Sequence, residues 1–243
     1  AVERTAAVEL AALPDSRPAE LTPSVIPPFS GDEQTLPQRG RFNGELAGSG
    51  QSYWAYVPED YNPDYEYGLV VWMHPGGDTM EAAVLNAWKP ICDRRGIVLL
   101  GLRASSPDGW QRNEMVFVKE AADEIRAQYN IDPARISLHG FADGGELAFQ
   151  LAFKYRELFR GVSALAAPLR KRPPENDPDF RIQFQLMCGT RDNLLTLVQA
   201  TAEGLRKLKY PVVFSTLEDH DHSYPPPEQI REIGRWVDSL DRI

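Results

Sequence analysis

Only two cysteines occur among these 243 residues. A disulfide framework or a thiolate metal site needs several at set spacings, so neither organises this chain. Cys92 falls in an expected helix and Cys188 at an expected strand end; both read as free, buried thiols. No apolar run approaches the roughly 20 residues that span a bilayer, which leaves no membrane-spanning helix. Positive charge is short as well. The 26 Lys and Arg against 35 Asp and Glu give a net charge of −9, which argues against nucleic acid as a partner, because phosphate binding needs a basic face. Ala1 is not followed by a charged-then-apolar signal segment, and the expectation is of a processed or excised piece. The compartment stays open; a soluble chain, exported as part of a larger protein, is compatible with the composition.

What remains is ordinary for a globular protein: 42% hydrophobic and 25% charged residues, with length for one large α/β domain. Residues 1–40 stand apart. Ala1 to Leu13 could form a short amphipathic helix, after which Pro14, Pro18, Pro23, Pro27, Pro28 and Pro37 favour an extended leader. An overhang is the bland account; a tether to an upstream domain is the reading favoured here.

From Arg41 the pattern changes. Arg41–Leu46, a Gly48-Ser49-Gly50 turn and Gln51–Pro58 read as a β-hairpin. Tyr67–Met73 is a continuous apolar run of the kind buried on both faces of a sheet. Strands are also expected at Ile97–Leu102, Arg135–His139, Val162–Ala166, Ile182–Cys188 and Val212–Thr216. Helices are expected at Met80–Arg95, Glu114–Tyr129, Glu146–Tyr155, Leu195–Leu208 and Pro227–Leu240, with Asp132-Pro133 marking the exit from the second. The alternation implies a mostly parallel, twisted sheet with an N-terminal antiparallel hairpin and helices on both faces.

The segment His139-Gly140-Phe141-Ala142-Asp143-Gly144-Gly145 has the form of a nucleophile elbow, a sharp strand-to-helix turn relieved by glycines two positions either side of its centre. Its centre is Ala142, which has no atom able to attack a carbonyl. Asp143 is a rival nucleophile, but Phe141 would then crowd the turn. Asp192 follows a strand in Gly189-Thr190-Arg191-Asp192, and His222 follows the next in His220-Asp221-His222-Ser223-Tyr224-Pro225. Such positions, beyond the carboxyl ends of parallel strands, are where sites form in open sheets. Asp192 alone would read as a helix cap and His222 as a loop histidine. His220 and His222 amid acidic neighbours could suggest a metal, yet no cluster with ligand spacing lies elsewhere, so no metal and no cofactor is expected.

Elbow, acid and histidine in this order, with His74-Pro75-Gly76-Gly77-Asp78 at an earlier strand end, resemble the esterase branch of the α/β-hydrolase superfamily. The likeness runs from about Arg41 to the C-terminus and is nearest to polyhydroxybutyrate-depolymerase-like, feruloyl-esterase-like and dienelactone-hydrolase-like proteins. The resemblance implies the α/β-hydrolase fold, with Asp192 as triad acid, His222 as general base and Ala142 in the nucleophile position. It places Gly76, Gly77 and Asp143 in the oxyanion and substrate-binding region. Pro75 departs from the usual His-Gly-Gly turn and has no N–H to offer.

Three readings follow. The first is a non-catalytic pseudo-hydrolase, a binding or structural module of a larger protein that accepts a small ester or acyl ligand. The alternative is an active serine carboxylic-ester hydrolase captured as an engineered Ser→Ala variant at position 142. The third is altered chemistry through His222, Asp143 or a bound water. His74 and His139 are expected to anchor loops at strand ends, and the Arg170-Lys171-Arg172 loop to overhang the site as a partial lid. Tyr53, Trp54 and Trp110 are either pocket wall or core.

Overall fold

A computed structural model describes residues 37–46 and 50–242. The expected helix over residues 1–13, most of the proline-rich leader and the Gly48-Ser49 part of the hairpin turn lie outside the described residues.

The elements follow in the order β1 (Gly40–Glu45), β2 (Ser52–Val57), β3 (Tyr67–Met73), α1 (Glu81–Arg95), β4 (Ile97–Leu102), α2 (Glu114–Gln128) and β5 (Ile131–Phe141). Then come α3 (Asp143–Lys154), β6 (Gly161–Leu165), β7 (Gln183–Gly189), α4 (Leu195–Lys207), β8 (Val212–Leu217), α5 (Pro227–Val237) and a short 3-10 turn at Leu240–Arg242. The eight strands form one sheet in the order β1-β2-β4-β3-β5-β6-β7-β8. The β1–β2 and β2–β4 pairs are antiparallel, and every other pair is parallel. Every residue of β3, β4, β6 and β7 is buried, as expected of parallel strands covered on both sides.

Helices α1 and α5 lie against each other on one face, where Trp236 of α5 crowds Gly161 of β6. On the other face α3 covers β5 and β6, and its Phe149 stacks on Phe184 of β7, with ring centroids 5.8 Å apart. The layers set all carboxyl ends of the parallel strands along one edge. There β3, β5, β7 and β8 release the segments that hold the candidate residues.

Three boundaries differ from the sequence expectation by three residues or more. β5 begins at Ile131 rather than Arg135, because Ile131 pairs with Tyr67 before the register shifts. Pro133, which has no N–H for the ladder, falls in that irregular stretch. α3 begins at Asp143 rather than Glu146, since packing overrides the poor helix propensity of Gly144 and Gly145. α5 stops at Val237 instead of running to Leu240, where the Ser239 hydroxyl donates to the Trp236 carbonyl at 2.7 Å.

Candidate functional site

β5 ends in Phe141, and Ala142 then turns the chain into α3 with φ 49° and ψ −120°. A positive φ costs a non-glycine residue about 1–3 kcal/mol unless its surroundings enforce it. Here they do. The Ala142 N–H donates to the Leu165 carbonyl at 3.0 Å, and its own carbonyl accepts the Glu146 N–H at 3.0 Å. A Cβ at Gly140 would lie 2.5 Å from the Gly144 carbonyl carbon, and one at Gly144 would overlap the Met73 and His74 carbonyl oxygens. At Gly145 it would lie 2.5 Å from Ala167 Cβ. The glycines therefore permit a helix to start directly against the strand ends, and Ala142 sits at the apex of a fully formed elbow.

The acid and the histidine meet beside it. His222 Nδ1 lies 2.8 Å from Asp192 Oδ2, with the Asp192 side chain fully buried and that of His222 42% exposed. Asp192 also accepts the Leu194 N–H on Oδ1 at 2.8 Å, just ahead of α4. One carboxylate thus serves two partners: Oδ1 closes the turn that leads into α4, whose N-cap is Leu194, and Oδ2 meets the imidazole. The Phe141 and His222 ring centroids are 5.1 Å apart, which sets the imidazole next to the elbow. With Nδ1 taken by Asp192, Nε2 is the nitrogen left to act as base, and it makes no hydrogen bond among the described residues.

The two loops are laced together. A Cβ at Gly189 would overlap the His220 carbonyl, the Arg191 N–H donates to that carbonyl at 2.9 Å, and the Asp219 N–H donates to Thr190 Oγ1 at 2.9 Å. His220 and Asp221 bond to Ser223. Among the described residues no three His, Cys, Asp or Glu side chains gather as metal ligands.

Two residues past His222, Tyr224 reaches the core. Its hydroxyl accepts the Trp88 indole N–H at 3.1 Å and lies 2.8 Å from His139 Nε2, to which it donates. His139 is buried among Trp72, Trp88 and Tyr224, and burial pulls its imidazole down to about 3. It is therefore neutral. Its part is to hold the His222 loop through Tyr224 from within β5, rather than to anchor a loop at its own strand end as expected.

His74 does sit at the end of β3 and does anchor a loop. Its Nδ1 donates to the Pro75 carbonyl at 2.6 Å, its Nε2 accepts the Ala104 N–H at 3.0 Å, and burial lowers its affinity for a proton. Its carbonyl accepts the Trp110 indole N–H at 2.8 Å. The same 104–111 loop takes the Gly77 N–H, which donates to the Pro107 carbonyl at 2.8 Å. That donor is already committed. Gly76 lies against Asp143, whose Oδ2 would be 3.2 Å from a Cβ placed there. The turn thus adjoins the start of α3, and next to them the 108–112 loop and α3 frame a cleft of about 220 Å3, lined in part by Gly109, Trp110, Arg112, Asp143 and Glu146. Trp110 is pocket wall, whereas Tyr53 and Trp54 belong to the core.

Sequence reading missed Glu114. This buried carboxylate accepts the Ser105 N–H at 2.6 Å and the Gln111 N–H at 2.5 Å, and so fixes the loop that consumes the Gly77 donor. Its spacing from Gln111, a glutamate reaching back three residues to a free N–H, is the half of a capping box that could have flagged it. Arg170 pairs with Glu146 at 2.8 Å, which ties the basic loop to the first turns of α3 beside the elbow. Cys92 and Cys188 are free and buried as expected, and burial together with Asp192 pushes the Cys188 thiol up to about 12.

No family model matches the chain. Among curated proteins, NocK of Nocardia uniformis subsp. tsuyamanensis, named as an esterase, is 25% identical over 131 residues, covering 49% of this chain and 38% of its own. A protein of Aspergillus niger named as feruloyl esterase C is 24% identical over 132 residues, covering 51% of this chain and 49% of that protein. The chain therefore matches less than half the length of either relative. A solved ferulic acid esterase superposes with TM-score 0.62 at 15% identity, over 85% of this chain and 99% of the esterase. The fold is that of the α/β-hydrolases, in an esterase-like form.

Proposed function

We propose that this chain is a pseudo-hydrolase: a module of a larger protein that holds a small ester or acyl ligand at the elbow without covalent turnover. One observation carries the reading. Ala142 occupies the apex of an elbow whose acid and base, Asp192 and His222, are paired at 2.8 Å. Covalent acyl transfer begins with a nucleophilic oxygen or sulfur at that apex, and a methyl group supplies neither. Asp143 does not replace it, because its carboxylate lies against Gly76 and Gly109. The commitment of the Gly77 N–H to Pro107 supports the same reading, since it leaves the turn only the Gly76 N–H to offer an oxyanion, and losing one oxyanion donor costs about 10²–10³-fold in rate.

The alternative, an active serine ester hydrolase with Ser exchanged for Ala142, is favoured by one feature: the unengaged Nε2 of His222. A single variant separates the two. The chain itself is expected to leave p-nitrophenyl butyrate at the buffer rate and to resist fluorophosphonate labelling. Ala142→Ser is expected to label but to turn over slowly, because an oxyanion donor is spent. A serine variant with kcat/KM in the ordinary range of about 10⁴–10⁸ M⁻¹s⁻¹ would establish the alternative. Turnover by the unaltered chain that disappears in His222→Ala would overturn both and point to water activated by the histidine.

A further inference from the structure

Away from the elbow, the seam between α1 and α5 holds a concentration of charge that the proposed function does not use. Gly234 lets the two helices close, since a Cβ there would lie 2.5 Å from Ile91 Cγ2. Beside that contact is a cleft of about 180 Å3 lined by Arg94 and Arg95 from α1 and by Arg231 and Arg235 from α5, with Pro90 and Pro227 in its walls. Four arginines thus line one cleft in a chain whose net charge is −9.

Local carboxylates account for only two of the four. Arg95 pairs with Asp238, which is shared with Arg135 at 3.5 Å, and Arg235 pairs with Glu232. Arg94 and Arg231 have no ion pair or hydrogen bond among the described residues. Asp93, the acidic neighbour of Arg94, instead accepts the Tyr56 hydroxyl at 2.6 Å. Cations at a helix C-terminus complement its dipole, which is reason enough for Arg94, Arg95 and Arg235 taken one at a time. It does not explain Arg231 in the middle of α5, or why all four line one cleft.

We propose that this cleft binds a phosphate monoester group. Two uncompensated guanidiniums match the roughly −1.5 to −2 charge such a group carries at neutral pH. The planar forks stay charged at any working pH, shed water more readily than an ammonium, and pair bidentately with phosphoryl oxygens. A lone carboxylate would offer one negative charge and two oxygens, too few for this donor set. Mounting the arginines on two packed helices sets their spacing before the ligand arrives, which lowers the ordering cost of binding. None of the lining residues belongs to the elbow or to the Asp192–His222 pair, so the site is independent of the proposed function.

Inorganic phosphate titrated calorimetrically into the full chain at low salt is the direct test. Saturable binding is expected, weakened by added salt, and at least about tenfold weaker in Arg94→Gln/Arg231→Gln. Replacing Lys171 and Arg172 with Gln, which removes basic charge elsewhere, is expected to leave it unchanged. Circular dichroism checks that each variant is folded. The source of the phosphate is read by sedimentation with phosphatidylcholine vesicles, with and without phosphatidylinositol phosphate. Co-sedimentation that depends on Arg94 and Arg231 identifies a lipid headgroup, and phosphate binding without it identifies a soluble monoester. Undiminished phosphate binding in the Arg94→Gln/Arg231→Gln variant, or no saturable binding by the parent chain, overturns the proposal.

Discussion

On the side of the candidate site that would handle protons, Asp192, His222, Phe141, Tyr224, Trp88 and His139 form a continuous run of hydrogen bonds and ring contacts from an exposed loop into the core. On the side that would handle the acyl group, the scaffold is equally exact, but two of its positions offer nothing to a ligand. Ala142 has no hydroxyl, and the Gly77 N–H belongs to Pro107. The first side depends on side chains that meet across long stretches of chain. The second depends almost wholly on backbone geometry, which glycines at 140, 144 and 145 enforce. A reacting atom can therefore be absent from the apex without disturbing either half, because nothing in the fold leans on it.

The comparison can be broken most severely at Gly144. Gly144→Ala drives a Cβ into the Met73 and His74 carbonyls and is expected to cost more than about 4 kcal/mol or to abolish the cooperative thermal transition. Gly204→Ala, in open space within α4, should instead stabilise by about 0.5–1 kcal/mol. Next in size is Tyr224→Phe. It deprives the Trp88 N–H and His139 Nε2 of their partner, and urea denaturation is expected to show a loss of about 2–3 kcal/mol. If the elbow is independent of this network, Ala142→Ser/Tyr224→Phe will still take the fluorophosphonate, more slowly than Ala142→Ser alone.

Of similar size is an acid sensitivity. His139 falls from 6.5 to about 3 on folding, so the unfolded chain takes up its proton first. Stability from this group is complete above pH 6.5 and is lost as the pH drops toward 3, by at most about 1.4 kcal/mol per pH unit. His74 shifts in the same direction. Urea midpoints between pH 7 and 4.5 are expected to fall less steeply in His139→Gln, and equal slopes would show that the buried network is wetter than drawn. The smallest effect is at the apex. Ala142→Gly should relieve the positive φ and be neutral or stabilising by up to about 1 kcal/mol, where glycine ordinarily destabilises. A clear loss would mean that Ala142 is unstrained.

The strands and the order of the candidate residues were legible because each is written locally. The apolar runs Tyr67–Met73 and Ile97–Leu102 have the same ends in sequence and structure. The glycine spacing around Ala142 marked the elbow before its dihedrals were known. What escaped notice depends on contacts between distant segments. Gly77 could be read as a donor from its position, but its capture by Pro107 depends on a loop 30 residues away that Glu114 holds in shape. His139 looked like a strand-end anchor, yet its partner Tyr224 lies 85 positions further on. Asp192 posed a choice between cap and acid only because one-dimensional reasoning assigns a residue a single partner.

The two hydrogen bonds of Asp192 have a consequence for weighing such sites. Its Oδ1 closes the turn ahead of α4 and its Oδ2 holds the imidazole, so folding alone would penalise its loss whether or not any reaction takes place. His222 has no comparable duty: its ring is partly in solvent and makes one side-chain bond. As witnesses to past or present chemistry the two are therefore unequal. An aspartate at this position answers to the fold as well as to the site, whereas the histidine, which the fold could spare, speaks for the site alone.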